Sequence, residues 1–188
     1  LALKDGNVRD MQRFVSDAPW DDAKMIYKYR CHVNDDLGSP DGALIFDESG
    51  FVKKGQDSIG VGRQYCGTIG KVDNCQVGVF AAYASANGYS LIDKQLFIPK
   101  KWFTDAYRHR RKKCKLPKDT VFRTKPQLAV HMLDAIFKEN VLPFKYVLAD
   151  SLYGISPEFI GAVEALTGKT YFVSVPIDTL CWLKRPMT

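Results

Sequence analysis

Apolar residues along this chain fall into two patterns, short unbroken runs and sets spaced by three or four. Ala43-Leu44-Ile45-Phe46 and Tyr146-Val147-Leu148-Ala149 are continuous runs bounded by turn residues or charge. Runs of that length suit strands buried on both faces of a sheet. Gln76 to Ala84, Tyr89 to Ile98 and Thr170 to Val175 read as further strands. Asn87-Gly88 between the first two of these predicts a tight hairpin. Helical spacing appears elsewhere. Asn7 to Val15 is a short candidate, and Ala23, Ile26, Val33 and Leu37 share one face of a longer helix. Ser16 or Asp17 would cap that helix, with Pro19 in its first turn. Thr124 to Gln127 forms a capping box with Pro126 in the first turn, followed by Leu128, Met132, Ala135 and Ile136 on one face. Ser156-Pro157-Glu158 starts a last helix, and Gly168 stops it. The expected order is an N-terminal helical segment, three strands, a helix, a strand, a helix and a strand, an α/β arrangement with a mixed sheet.

Composition sets the scale. The 188 residues, 46% of them hydrophobic and 26% charged, suffice for one buried core. No apolar run approaches the roughly 18 residues of a membrane helix, so no membrane partner is expected. Cys31, Cys66, Cys75, Cys114 and Cys181 are odd in number and contain no CxxC pair. Reduced thiols in a cytosol are the plain reading. His32, His109 and His131 are scattered without a metal-ligand spacing. The chain opens Leu1-Ala2-Leu3, without Met or a signal-peptide pattern, and a fragment or processed chain is expected.

Charge is unevenly placed. Of a net +6, residues 100–125 carry eleven Lys or Arg against two Asp, a net of +9, leaving −3 for the rest. Arg108, Arg110, Arg111, Lys112 and Lys113 form the centre, and Arg123 and Lys125 continue it. Such a block is usually a solvated face or a flexible arm. Here Trp102, Phe103, Tyr107 and Phe122 interleave with the cations, a mixture that suits nucleic-acid contact. No helix-turn-helix or zinc-finger spacing accompanies it, so the contact expected is nonspecific.

Both continuous apolar runs end in aspartate, Asp47 and Asp150. Singly, each reads first as a turn cap, Asp47 towards Gly50 and Asp150 towards Gly154. If the two strands lie parallel and adjacent, both carboxylates leave the same sheet edge, where α/β sites form. Converging carboxylates repel unless a cation or a proton intervenes. Oxygen donors without Cys or His suit Mg²⁺ or Mn²⁺, and a pair of such ions about 3.5–4 Å apart serves phosphodiester chemistry. The glycine-rich stretch from Gly55 to Gly67 is no phosphate loop, because Val61-Gly62 stands where Lys and Ser/Thr belong. It reads as a turned or mobile connection. Lys53, Lys54 and Arg63 could meet phosphates from it, and a solvated loop explains them equally well.

Leu44-Ile45-Phe46-Asp47-Glu48-Ser49-Gly50-Phe51-Val52-Lys53-Lys54-Gly55 resembles the first catalytic block of bacterial insertion-sequence transposases of the DDE superfamily. The stretch from Gly62 through Lys71 to Val79 resembles the next, and Val121 to Lys125 and Val147 to Gly154 resemble later ones. The resemblance implies a partial ribonuclease-H-like catalytic core over 41–175, preceded by the helical segment 1–40 and followed at 176–188 by the start of a truncated insertion. It implies that the first and fourth strands are adjacent, that Asp47 and Asp150 are catalytic acids and metal ligands, and that Mg²⁺ or Mn²⁺ serves in a two-metal site. It also implies DNA as partner, both element ends and target, self-association on that DNA, and a bacterial, nucleoid-associated location. The reaction implied is metal-dependent DNA cleavage and strand transfer. The family's third acid is a downstream Glu, and Glu158, Glu164 and Asp178 do not match it. Glu48 stands where relatives often carry a second Asp. The alternative is a noncatalytic DNA-binding remnant of a decayed transposase. A haloacid-dehalogenase-like phosphatase with Asp47 as nucleophile is disfavoured by Ser49, where that family has Asp.

Overall fold

The structure is a computed structural model and describes residues 7–180. Cys181 and most of the expected insertion start at 176–188 lie outside the described residues. Two helices open the chain, α1 (Val8–Asp17) and α2 (Asp22–Leu37). The cap of α2 is Asp21, whose side chain accepts from the Lys24 amide at 3.0 Å, rather than Ser16 or Asp17. Pro19 is the reason: the residue before a proline is driven extended, and Ala18 sits at φ −68°, ψ 141°. Only Val33 of the expected apolar face is fully buried. Beside it Arg30 is buried as well, its guanidinium shared between Asp93 and Glu139.

The sheet strands are β1 (Ala43–Val52), β2 (Gly62–Cys66), β3 (Lys71–Ser85), β4 (Gly88–Phe97), β5 (Tyr146–Ala149) and β6 (Thr170–Val173). Helices α3 (Arg108–Lys113), α4 (Lys125–Glu139), α5 (Ser151–Gly154) and α6 (Pro157–Glu164) complete the described elements, with short 3₁₀ turns between them. Four strands precede α4, one more than the apolar pattern suggested. The extra strand is β2, in the glycine-rich stretch read as a connection. Its alternation is real, with Gly62 and Cys66 buried and Arg63 and Tyr65 exposed, but small inward residues hide it from a hydrophobicity pattern. β1 also runs five residues past Asp47, because backbone pairing with long β3 continues from Asp47↔Phe80 to Val52↔Cys75. The hairpin between β3 and β4 forms where expected. Its turn is Ala86-Asn87, and Gly88 opens β4 at φ +137°, a value that favours glycine.

The sheet order is β2-β3-β1-β5-β6, with β4 paired to β3. β1 runs antiparallel to β3 and parallel to β5, and β5 runs parallel to β6. This mixed sheet has the ribonuclease-H-like adjacency expected, the first strand lying beside Tyr146–Ala149. Its helix-covered face holds the core. Leu44, Phe46, Val79 and Tyr83 meet Leu128, Met132 and Ile136 of α4 and Phe159 and Val163 of α6. The Phe46 and Phe159 rings meet edge to face at 5.7 Å. Each such side chain contributes roughly 1.5–3 kcal/mol by leaving water, so the strand carrying Asp47 is anchored one residue before its acid.

Candidate functional site

The parallel pairing of β1 and β5 ends at Phe46↔Ala149, and the next residue on each strand is Asp47 and Asp150. Register alone therefore brings the two aspartates side by side at the carboxyl edge of the sheet. On the far side, the Ser174 amide donates to the Ala149 carbonyl at 3.1 Å and extends that edge to β6. These strand ends line an open cleft of about 450 Å³, with Asp47, Asp150 and Ser174 in its wall. Asp150 caps the short helix α5, its Oδ1 accepting from the Leu152 amide at 2.9 Å. A Cβ on Gly154 would overlap the Ser174 carbonyl oxygen, so glycine lets α5 close against the sheet edge.

A third carboxylate joins them. One oxygen each of Asp47, Glu48 and Asp150 lies within 4.8 Å of the others, and this is the one such cluster of metal-ligating groups among the described residues. Glu48 Oε1 accepts from Lys125 Nζ at 2.7 Å, and Oε2 accepts from the Tyr153 hydroxyl at 3.0 Å. Asp47 Oδ1 accepts from the Glu48 amide at 2.7 Å. Partial burial, and then the charges of Glu48 and Asp150, hold the Asp47 carboxyl above its usual range, with the Glu48 amide and Lys125 opposing them. Three carboxylates face one ammonium, so the cluster has uncompensated negative charge. All its donors are hard oxygens. A divalent Mg²⁺ or Mn²⁺ fits both the charge and the donor chemistry.

The cations read as DNA contacts have diverse surroundings. Lys125 lies at the carboxylate cluster, with Nζ also 5.8 Å from the Phe97 ring centre. Arg111 Nη1 donates to the Trp102 and Thr104 carbonyls at 2.6 and 2.7 Å. Arg110 donates to Gln56 at 2.9 Å, and Lys113 pairs with Asp57 at 2.6 Å, so α3 is tied to the loop after β1. That pairing holds the Asp57 carboxyl below its usual range. Arg108 and Lys112 stay exposed on the wall of a cleft of about 1100 Å³, with Phe103, Lys115 and Lys118 also lining it. Arg123 lines a smaller groove with Phe122 and His131. Lys54 and Arg63 are exposed, Lys53 is half-buried, and none of the three pairs with a carboxylate among the described residues. Sequence reasoning missed Tyr153 as a site residue and left Glu48 without a role. The available signal was spacing, since Tyr153 lies one helical turn after Asp150.

Among the described residues no helix is long and apolar enough to cross a membrane. The family model of the DDE superfamily endonuclease matches residues 1–187. A protein of Microchaete diplosiphon described as "Probable transposase for insertion sequence element IS701" is 30% identical over 170 residues. That match covers 90% of this chain and 41% of the relative, so the chain spans under half of that protein's length. No solved structure matches the chain.

Proposed function

Because the chain belongs to the DDE superfamily endonuclease family, we propose that Asp47 and Asp150 are the catalytic acids of a DNA-transposing site. The reaction proposed is cleavage of phosphodiesters at the ends of an insertion sequence and their transfer to target DNA. The observation that carries this reading is the register of β1 on β5, which sets the two aspartates next to each other. Mg²⁺ or Mn²⁺ bound there would supply Lewis-acid polarisation of a phosphodiester and a water of lowered pKa. Asp47 and Asp150 would hold the cation, and the open cleft beside Ser174 leaves room for a sugar-phosphate strand. Both oxygens of Glu48 are already hydrogen-bonded. Glu48 is therefore not counted among the proposed ligands.

DNA is the proposed partner, and the exposed cations of the α3 region are its proposed footprint. Arg108 and Lys112 would contact phosphates directly, joined by Arg123, Lys53, Lys54 and Arg63. Arg110, Arg111 and Lys113 would shape that surface as well as add charge to it, given their bonds to the loop and to backbone carbonyls. Self-association on DNA and a nucleoid location belong to the same proposal. The test is Asp47→Asn and Asp150→Asn in a full-length transposase carrying these residues. Each variant should keep DNA binding and lose Mg²⁺-dependent cleavage of element ends by at least a thousandfold. Cleavage at the normal rate by either variant would refute the assignment. A parent that binds DNA but never cuts it would favour the noncatalytic remnant.

A further inference from the structure

Glu48, Lys125 and Tyr153 are buried or half-buried polar groups that the two-aspartate site does not itself require. Glu48 follows Asp47 on β1, and strand alternation sends its side chain to the opposite, helix-covered side. There it meets two donors from separate elements. Lys125 comes from the first turn of α4, fixed by the Thr124–Gln127 capping box. Tyr153 comes from α5, fully buried, its ring 5.4 Å from that of Phe159. Tyr153 and Asp150 thus sit at the two ends of one helical turn, and that turn starts on the Asp150 carboxylate. A continuous line of bonds results. Asp47 accepts from the Glu48 amide, Glu48 accepts from Tyr153, and Tyr153 belongs to the turn that Asp150 caps.

We propose that Glu48, Lys125 and Tyr153 form a clamp that fixes the separation of the Asp47 and Asp150 carboxylates, with Glu48 and Tyr153 as positioning residues rather than cation ligands. This rests on the reading of Asp47 and Asp150 as a metal pair. The clamp ties the end of β1 to the cap of α5 across the strand edge. It restrains two repelling carboxylates, and Lys125 offsets the charge that Glu48 brings. The two aspartates would then be in place before a cation binds, and less ordering would have to accompany binding.

Tyr153→Phe is the informative change, because it removes one hydroxyl, keeps the buried ring and leaves the site's charge untouched. The assay is Mn²⁺ binding to the 188-residue chain, read from the electron paramagnetic resonance signal of free Mn²⁺. Loss of a hydrogen bond that orients ligands lowers metal affinity about 10-fold or more, and about tenfold is the expected effect here. The Leu152 amide should also exchange with solvent faster in the variant, because its acceptor Asp150 is less restrained. In a Glu48→Ala background the same Tyr153→Phe change has no acceptor left to lose, and its effect should fall below about twofold. The clamp is overturned if Tyr153→Phe binds Mn²⁺ like the parent or more tightly, as a ligand role for a released Glu48 would require. It is equally overturned if the tenfold loss persists without Glu48, since the hydroxyl would then act through something else. A parent chain that binds no Mn²⁺ removes the metal-pair reading itself, and the clamp with it.

Discussion

Replacing Asp47 by Asn should make the metal-free protein more stable while destroying its response to Mg²⁺. The carboxylates of Asp47, Glu48 and Asp150 approach within 4.8 Å of one another. Two unit charges at that separation repel by roughly 0.9 kcal/mol in bulk water and about 1.7 kcal/mol at an effective dielectric of 40. Asp47 feels two such repulsions and one attraction to Lys125, and it is exposed enough for solvent to screen all three. A net relief of about 1–2 kcal/mol follows. Asn keeps an oxygen that can accept from the Glu48 amide, so that bond within β1 persists. The assay is urea unfolding followed by the fluorescence of Trp102, which is buried and donates to the Val61 carbonyl. In chelator and low salt the variant should be the more stable protein by that amount, and the gap should narrow in high salt. Mg²⁺ at ten times its dissociation constant should raise the parent by about 1.4 kcal/mol and the variant by almost nothing. A variant less stable than its parent in chelator, or an equal gain from Mg²⁺ in both, would refute the electrostatic reasoning.

Three further outcomes test other parts of the molecule. Arg108→Ala and Lys112→Ala should each weaken DNA binding and reduce its salt slope by about one, whereas Arg111→Ala should chiefly lower the unfolding midpoint by freeing the Trp102 and Thr104 carbonyls. Arg30→Met leaves Asp93 and Glu139 without their shared partner and should cost about 3–5 kcal/mol in urea unfolding at neutral pH. Cys66 and Cys75 are fully buried, and burial first, then the neighbouring Cys66 thiol, push Cys75 up to about 11; native-state alkylation mapped by mass spectrometry should therefore spare Cys66 by burial and Cys75 on both counts at pH 8, while labelling half-buried Cys31 and Cys114.

The parts of this fold that were legible in the sequence are those where local chemistry and tertiary packing agree. The Thr124–Gln127 box formed as read, because its bonds lie within one turn. The two apolar runs became adjacent parallel strands, but only one face of the pair is fully buried: Leu44, Phe46 and Val147 enter the core, whereas Ile45 and Leu148 stay half-buried and line the open cleft. β2 escaped notice because its inward residues are Gly62, the half-buried Gln64 and Cys66, and α2 began late because Pro19 set Ala18 extended. Arg30 could not be read as buried, since its partners Asp93 and Glu139 are remote in sequence and an arginine on a helix face is ordinarily solvated. At the site, Asp47 and Asp150 were visible as acids ending apolar runs. The role of Glu48 was not, because it depends on which helices cover the sheet. Lys125 reads as one more cation of a basic segment until α4 turns it towards Glu48. In the α3 region, sequence counts charge but not its partners. Gln56 and Asp57 return from a distant loop to take Arg110 and Lys113.

Asp47 and Asp150 are proposed to hold one divalent cation jointly. The most direct measurement is Mn²⁺ titration of the parent chain, Asp47→Asn and Asp150→Asn, followed by electron paramagnetic resonance at neutral pH. A shared site predicts that the parent binds and that each single variant loses at least tenfold in affinity. Removing both acids should then cost little more than removing the one that matters more. Binding that survives in either single variant at parental strength would contradict the claim.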